Sequence, residues 1–190
     1  MNTIQHLLLR EAPPPAHPVD SGTSRDWSEV EGVLKTRLPN DYKWLISIYG
    51  SGDFCDLLVV MNPFSKVEQR NLLLQVSPIL EFYRLGRPQS CPFRCFPDSG
   101  GLLPFARDLN GGDMFWLTAG KPDDWSLIHY SWSGWTYQRY ETSLAGFLLE
   151  WIAGRLPDSF FGVGNSPGII RRDPVFCPLG QVRVRRPWDR

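Results

Sequence analysis

The sequence predicts an α+β fold, in which helices precede and follow a largely antiparallel β-meander over residues 102–141. Three observations carry this. Four short aromatic or β-branched runs, LLPFA, DMFWLTA, SLIHYSW and WTYQRYE, follow one another with turn residues between them. Apolar residues recur at helical spacing on both sides of that block. Aromatic residues make up 13% of the chain, eight of them Trp, and such side chains suit a pleated, half-buried surface.

Taken in order, residues 1–25 read as a flexible leader, because residues 11–24 hold four Pro and little apolar content. The spacing then predicts a helix from about Asp26, with Glu29 three residues on and Trp27, Val30 and Leu34 on one stripe. Leu38-Pro39 interrupts it, since Pro disfavours helix in its predecessor and suits the first turn of the next. A second helix runs from about Pro39 to Tyr49 and stops at Gly50 and Gly52. Leu57 to Met61 reads as a buried strand. Ser65 and Glu68 make a capping box that opens a helix through Tyr83, with Pro78 expected to kink or split it. Gly86 to Ser99 is a loop with three Pro.

Within the meander, Asn110-Gly111, Lys121-Pro122-Asp123 and Ser133-Gly134 separate the strands, and loops this short imply antiparallel pairing. Thr142 is the expected cap of a closing helix through Leu144, Phe147, Leu148, Trp151 and Ile152. The last 34 residues, 157–190, hold five Pro and four Gly and read as an irregular extension. The alternation in Gln181 to Arg185 allows one edge strand within it.

A chain of 190 residues buries about 70% of its unfolded surface and needs no disulfide or metal staple. Twenty basic and twenty acidic residues give no global pull toward nucleic acid or anionic membrane. The distribution is uneven, however. Residues 171–190 carry six Arg against two Asp, whereas residues 1–170 carry 14 basic against 18 acidic residues. The basic tail keeps a nucleic-acid contact open. No run approaches the ~20 apolar residues of a membrane-spanning helix. The short apolar stretch at the N-terminus lacks the basic flank of a signal peptide. A cytoplasmic protein with reduced thiols is expected.

Candidate chemistry is sparse. Cys55, Cys91, Cys95 and Cys177 and the scattered His6, His17 and His129 have no metal-ligand spacing. Asp108-Leu109-Asn110-Gly111-Gly112-Asp113 offers oxygen ligands but lacks the offsets of a calcium loop, and reads as a hairpin turn. His129 alternates with Ile128 and Tyr130, which predicts a place on the solvent face of the sheet or packed against it. A Cys–His nucleophile has no supporting context, and no glycine-rich phosphate loop occurs. No cofactor, metal or catalytic residue is expected. Asp53, Asp56, Asp108, Asp113, Asp123 and Asp124 fall at or beside loops, either as solubilising surface or as an acidic face for a basic partner. Trp132 and Trp135 flank a Ser-Gly turn and are the candidate aromatic anchors of that face.

The order of motifs also resembles a known family. Trp27 and Glu31 precede Leu38-Pro39-x-Asp41-Tyr42 and a short apolar helix ending in Gly50-x-Gly52. Leu103-Pro104-Phe105-Ala106-Arg107-Asp108, the Asn110-Gly111-Gly112-Asp113 turn, an aromatic strand and a helix with Phe147 and Leu148 follow. Over roughly residues 26–156 this is similar to the SUKH superfamily, which includes bacterial immunity proteins and relatives of a fungal cell-wall synthesis regulator. The resemblance implies one mixed sheet packed by helices and a non-enzymatic protein that binds a cognate, often nuclease-type, toxin domain. A regulatory scaffold of the fungal kind is the alternative. The expected organisation is a leader (1–25), a SUKH-like domain (26–156) and an extension (157–190).

Overall fold

The structure is a computed structural model that describes residues 2–86, 91–132, 136–156 and 175–181. Its first elements are helices α1 (Thr3–Glu11), α2 (Ser24–Leu34) and α3 (Asn40–Tyr49), then strands β1 (Gly52–Phe54) and β2 (Leu58–Val60). Helix α4 (Leu72–Gly86) leads into the meander β3 (Leu102–Asp108), β4 (Gly112–Leu117), β5 (Ser126–Ser131) and β6 (Thr136–Tyr140). Helix α5 (Leu144–Ile152) and strand β7 (Phe176–Pro178) complete the α+β fold. The described strands form a single sheet in the order β6-β5-β4-β3-β2-β1-β7 with every ladder antiparallel. Among the described residues, parallel pairing is confined to the isolated bridges Val19–Gly50 and Cys95–Leu102. The expected meander over 102–141 is therefore present, strand for strand.

Adjacent residues of β4 show how the sheet is covered. Phe115 points to α4, where its ring centroid is 5.6 Å from that of Tyr83. Trp116 points the other way, 5.0 Å from Tyr42 of α3 and stacked on Phe105 at 4.5 Å. A register shift between Pro104 and Ala106 turns Phe105 onto that same face. Phe147 of α5 meets Tyr140 there, and α1 lies against α5. Two layers of helix thus enclose the sheet.

Several local expectations are refined. Helix α2 begins two residues earlier than expected, because the capping box is made by Thr23 and Asp26. Ser143, not Thr142, caps α5, accepting from the Gly146 N–H. Ser65 and Glu68 do not open a long helix. Glu68–Arg70 is a single 3₁₀ turn, and Asn71 then accepts the Leu74 N–H at the start of α4. Helix α4 continues through Pro78 without interruption.

The stretch 1–25, expected to be a flexible leader, is ordered from Asn2 onward. Asn2 and Gln5 cap α1 reciprocally, and Leu8 and Ala12 are fully buried. Tyr49 donates its hydroxyl to the Ala12 carbonyl at 2.7 Å, and the Ser51 N–H bonds the Val19 carbonyl at 2.7 Å. Gly50 is required at that crossing, since a Cβ there would collide with the Val19 backbone. At the other end of the chain, β7 pairs with β1 and buries Phe176 between Tyr49 and Phe54, with centroids 5.0 and 4.9 Å away. The alternating stretch expected as an edge strand lies outside the described residues apart from Gln181, which is in no strand.

Candidate functional site

The motif residues of α2 and α3 serve structural roles. Glu31 accepts from the Leu38 N–H at 2.9 Å and from Lys43 Nζ at 2.8 Å, which fixes the α2–α3 corner. Partial burial works upward on its carboxyl, but the Leu38 N–H and the Lys43 ammonium together hold it below its ordinary value. Asp41 reaches the start of α5 and accepts the Ala145 N–H. Burial pushes its carboxyl up against the pull of those helix N–H groups. Tyr42 donates to the Met61 carbonyl at 2.7 Å.

The β3–β4 hairpin forms the wall of a cleft. Its loop is Leu109 to Gly111, with Asp108 paired to Gly112. Gly111 alone takes positive φ, the pattern of a three-residue hairpin loop. Asp108 Oδ1 accepts the Asn110 N–H at 2.7 Å, and Oδ2 lies 2.7 Å from His129 Nε2. Both side chains are buried. They close over Gly112, where a Cβ would overlap Asp108 Oδ2 and stand 2.6 Å from His129 Nε2. His129 is therefore packed in the core against an Asp, so of the two placements expected for it the packed one holds. The Asp108-to-Asp113 segment is a turn, as expected, with the His–Asp pair as its base.

Across the sheet from His129 lies an open cleft of about 440 Å³ between this hairpin, α4 and the Glu68–Arg70 turn. Arg70, Phe82, Arg107, Leu109, Asp113 and Trp132 carry its chemistry. Asp113 is buried and accepts from Arg107 Nε at 2.9 Å and from Trp132 Nε1 at 2.7 Å. Burial raises its carboxyl pKa, with Arg107 and the Trp132 N–H opposing that shift. Arg107 also donates to Gln75 of α4 at 3.3 Å. Arg70 holds Asp53 through both terminal nitrogens, at 2.7 and 3.1 Å. Phe82 meets Trp132 edge to face at 4.8 Å yet remains 57% exposed, and Leu109 at the hairpin tip is 64% exposed.

The expected partner residues divide into two groups. Asp53, Asp108, Asp113 and Trp132 gather around the cleft, and Asp56 lies in the β1–β2 turn, whose Leu57 carbonyl accepts the Leu109 N–H at 2.9 Å. Asp123 and Asp124 lie elsewhere, on the turn before β5. Asp123 is occupied there, taking the Asn40 N–H and side-chain amide at 2.6 and 2.7 Å and so capping α3. Trp135 lies outside the described residues. Sequence reasoning missed Arg70, Phe82, Arg107 and Leu109. Phe82 carries a readable signal, being an aromatic set off the buried stripe Val76, Ile79, Leu80 and Tyr83.

Among the described residues, no three His, Cys, Asp or Glu side chains cluster as metal ligands. Likewise, none of the described helices is long and apolar enough to cross a membrane. Cys55, Cys91, Cys95 and Cys177 are thiols, with Cys91 Sγ 2.6 Å from the Tyr83 hydroxyl. The geometry is that of an aromatic and ion-paired recess.

A family model described as SMI1-KNR4 cell-wall matches residues 24–148, which is about two thirds of the chain and runs from α2 into α5. No curated protein and no solved structure matches.

Proposed function

We propose, from the fact that the chain belongs to the SMI1-KNR4 cell-wall family of the SUKH superfamily, that it is a non-enzymatic binding protein of the cytoplasm. Its partner is a protein, and its role is that of an immunity protein that occludes a basic, nuclease-type toxin domain. The observation that carries this reading is the family match, which spans the motifs that build α2, α3 and the β3–β4 hairpin. The excess of acidic residues in the first 170 positions, 18 against 14, supports a basic partner.

Co-expression with the toxin domain encoded beside this chain is the test. Growth rescue and a purified complex are the expected results. A chain that neither binds that domain nor protects the cell overturns the assignment. A second reading, a regulatory scaffold for endogenous proteins, is favoured by the cell-wall description of the matching family. Gene neighbourhood separates the two, since a scaffold needs no adjacent toxin gene.

A further inference from the structure

We infer that the outer edge of β6 pairs with β6 of a second copy of this chain, antiparallel about a two-fold axis at Gln138. The seven-stranded sheet then runs on through both protomers. This goes beyond the function proposed above and does not depend on which partner that function involves.

Among the described residues, β6 ends the sheet and pairs only with β5. Ladder geometry fixes which of its backbone groups face outward. The Trp132 N–H bonds the Gly111 carbonyl, so Trp132, Tyr130, Ile128 and Ser126 are the residues that bond toward β4. His129 and its alternates Leu127 and Ser131 therefore bond toward β6, and their register makes Tyr140, Gln138 and Thr136 the bonded residues there. Tyr137 and Arg139 are left with N–H and C=O on the outer edge. The Arg139 carbonyl accepts from the Gln138 side-chain amide at 3.2 Å, a local substitute for a neighbouring strand.

Sheet edges are commonly blunted by short strands, proline, lysine or bulges. Strand β7, at the opposite edge, is three residues long and ends in Pro178. Strand β6 has five residues in unbroken register and contains no Pro, Lys or bulge. Its one charged side chain, Arg139, is neutralised by Glu141 and anchored on Ser126 Oγ at 2.9 Å.

The sequence of β6 complements itself. Its outward residues flank Gln138, so a two-fold there sets Tyr137 opposite Arg139 of the second copy, and the reverse. Each such pair exchanges both N–H···O bonds, which satisfies the outward groups of both strands. Tyr137 and Arg139 also share one face of the strand, so the same register lays each guanidinium beside the other copy's phenol ring. That ring is 47% exposed, and Phe93 fixes its orientation nearly perpendicular at 4.8 Å. A two-fold at Arg139 would instead oppose like charges.

Sedimentation velocity of the full chain, from dilute to concentrated, is expected to show reversible growth from 21.7 kDa to twice that mass. An interface this small belongs to the weak, concentration-dependent class. Amide exchange of the ¹⁵N-labelled chain is expected to slow at Tyr137 and Arg139 as concentration rises, and to change little at Gln138, whose N–H already bonds β5. Tyr137→Lys places a lysine opposite Arg139 twice and is expected to weaken dimerisation about tenfold. Adding Arg139→Glu makes both pairs attractive and is expected to restore it. Both substitutions alter exposed side chains and remove no backbone bond to β5. A chain that stays monomeric, or a dimer whose Tyr137 and Arg139 amides remain unprotected, overturns the inference. So does protection at every dilution, which pairing within one chain would give, or a double variant no better than Tyr137→Lys alone.

Discussion

Under α3, Trp116 is enclosed by Tyr42 and Phe105 and is 1% exposed. On the opposite face, the α4 contact is equally dry at Tyr83, Phe115 and Tyr130 but gives way at Phe82 and Trp132 to a cleft floored by ion pairs. Within α4 a single position separates the buried Tyr83 from the exposed Phe82. The difference teaches that the two faces of one sheet are closed to different degrees. The α3 face holds the molecule together, and the far end of the α4 face is left unfilled.

That contrast can be broken or sharpened by substitution. Trp116→Ala should cost about 3–5 kcal/mol of unfolding free energy through cavity formation. Phe82→Ser, across the sheet, should stay within about 0.5 kcal/mol. Urea denaturation measures both, and similar losses would erase the distinction. Gly112→Ala should cost about 1–3 kcal/mol, because its methyl group must displace the Asp108–His129 pair. The Leu109 and Gly111 amide resonances should move with it. An unchanged midpoint and spectrum would show that the pair does not seat the hairpin.

The smallest effect is in the slope of stability with pH. Glu31 sits below its ordinary value of 4.5, so its contribution is present above that pH and is lost as pH falls through the lowered folded value. Asp113 sits above its ordinary value of 3.8, so its contribution is full below that pH and is lost as pH rises through the raised folded value. On acidification, wild type should therefore lose stability relative to Glu31→Gln and gain it relative to Asp113→Asn. Thermal unfolding across the acid range reads both, and slopes of the same sign would refute the assignment of one group.

The meander was legible because each strand is bounded by residues that can turn, such as Asn110-Gly111 and Lys121-Pro122-Asp123. Strands β1 and β7 were not, since three residues give no period to read. Helix α1 hid in a Pro-rich context because only Gln5 and Leu8 are buried within it. Trp132 and Asp113 could be chosen from sequence as loop-side residues. Their partners Arg107 and Arg70 could not, since a cation in a strand or turn reads as solvated until the fold brings Asp113 or Asp53 to it. Asp123 shows the reverse failure. As an exposed acidic turn residue it suggested a partner, but an helix N-terminus 83 positions away already occupies it.

Strand β7 gives the protein an order of events. Among the described residues, every other strand of the sheet precedes residue 141, whereas the hydrogen-bonding edge of β1 is covered by Phe176–Pro178. A nascent polypeptide leaving the ribosome can therefore assemble six strands while the β1 edge waits for its partner to be synthesised. Closing that edge joins positions more than a hundred residues apart, the kind of long-range step that is slow and invites mispairing with other chains.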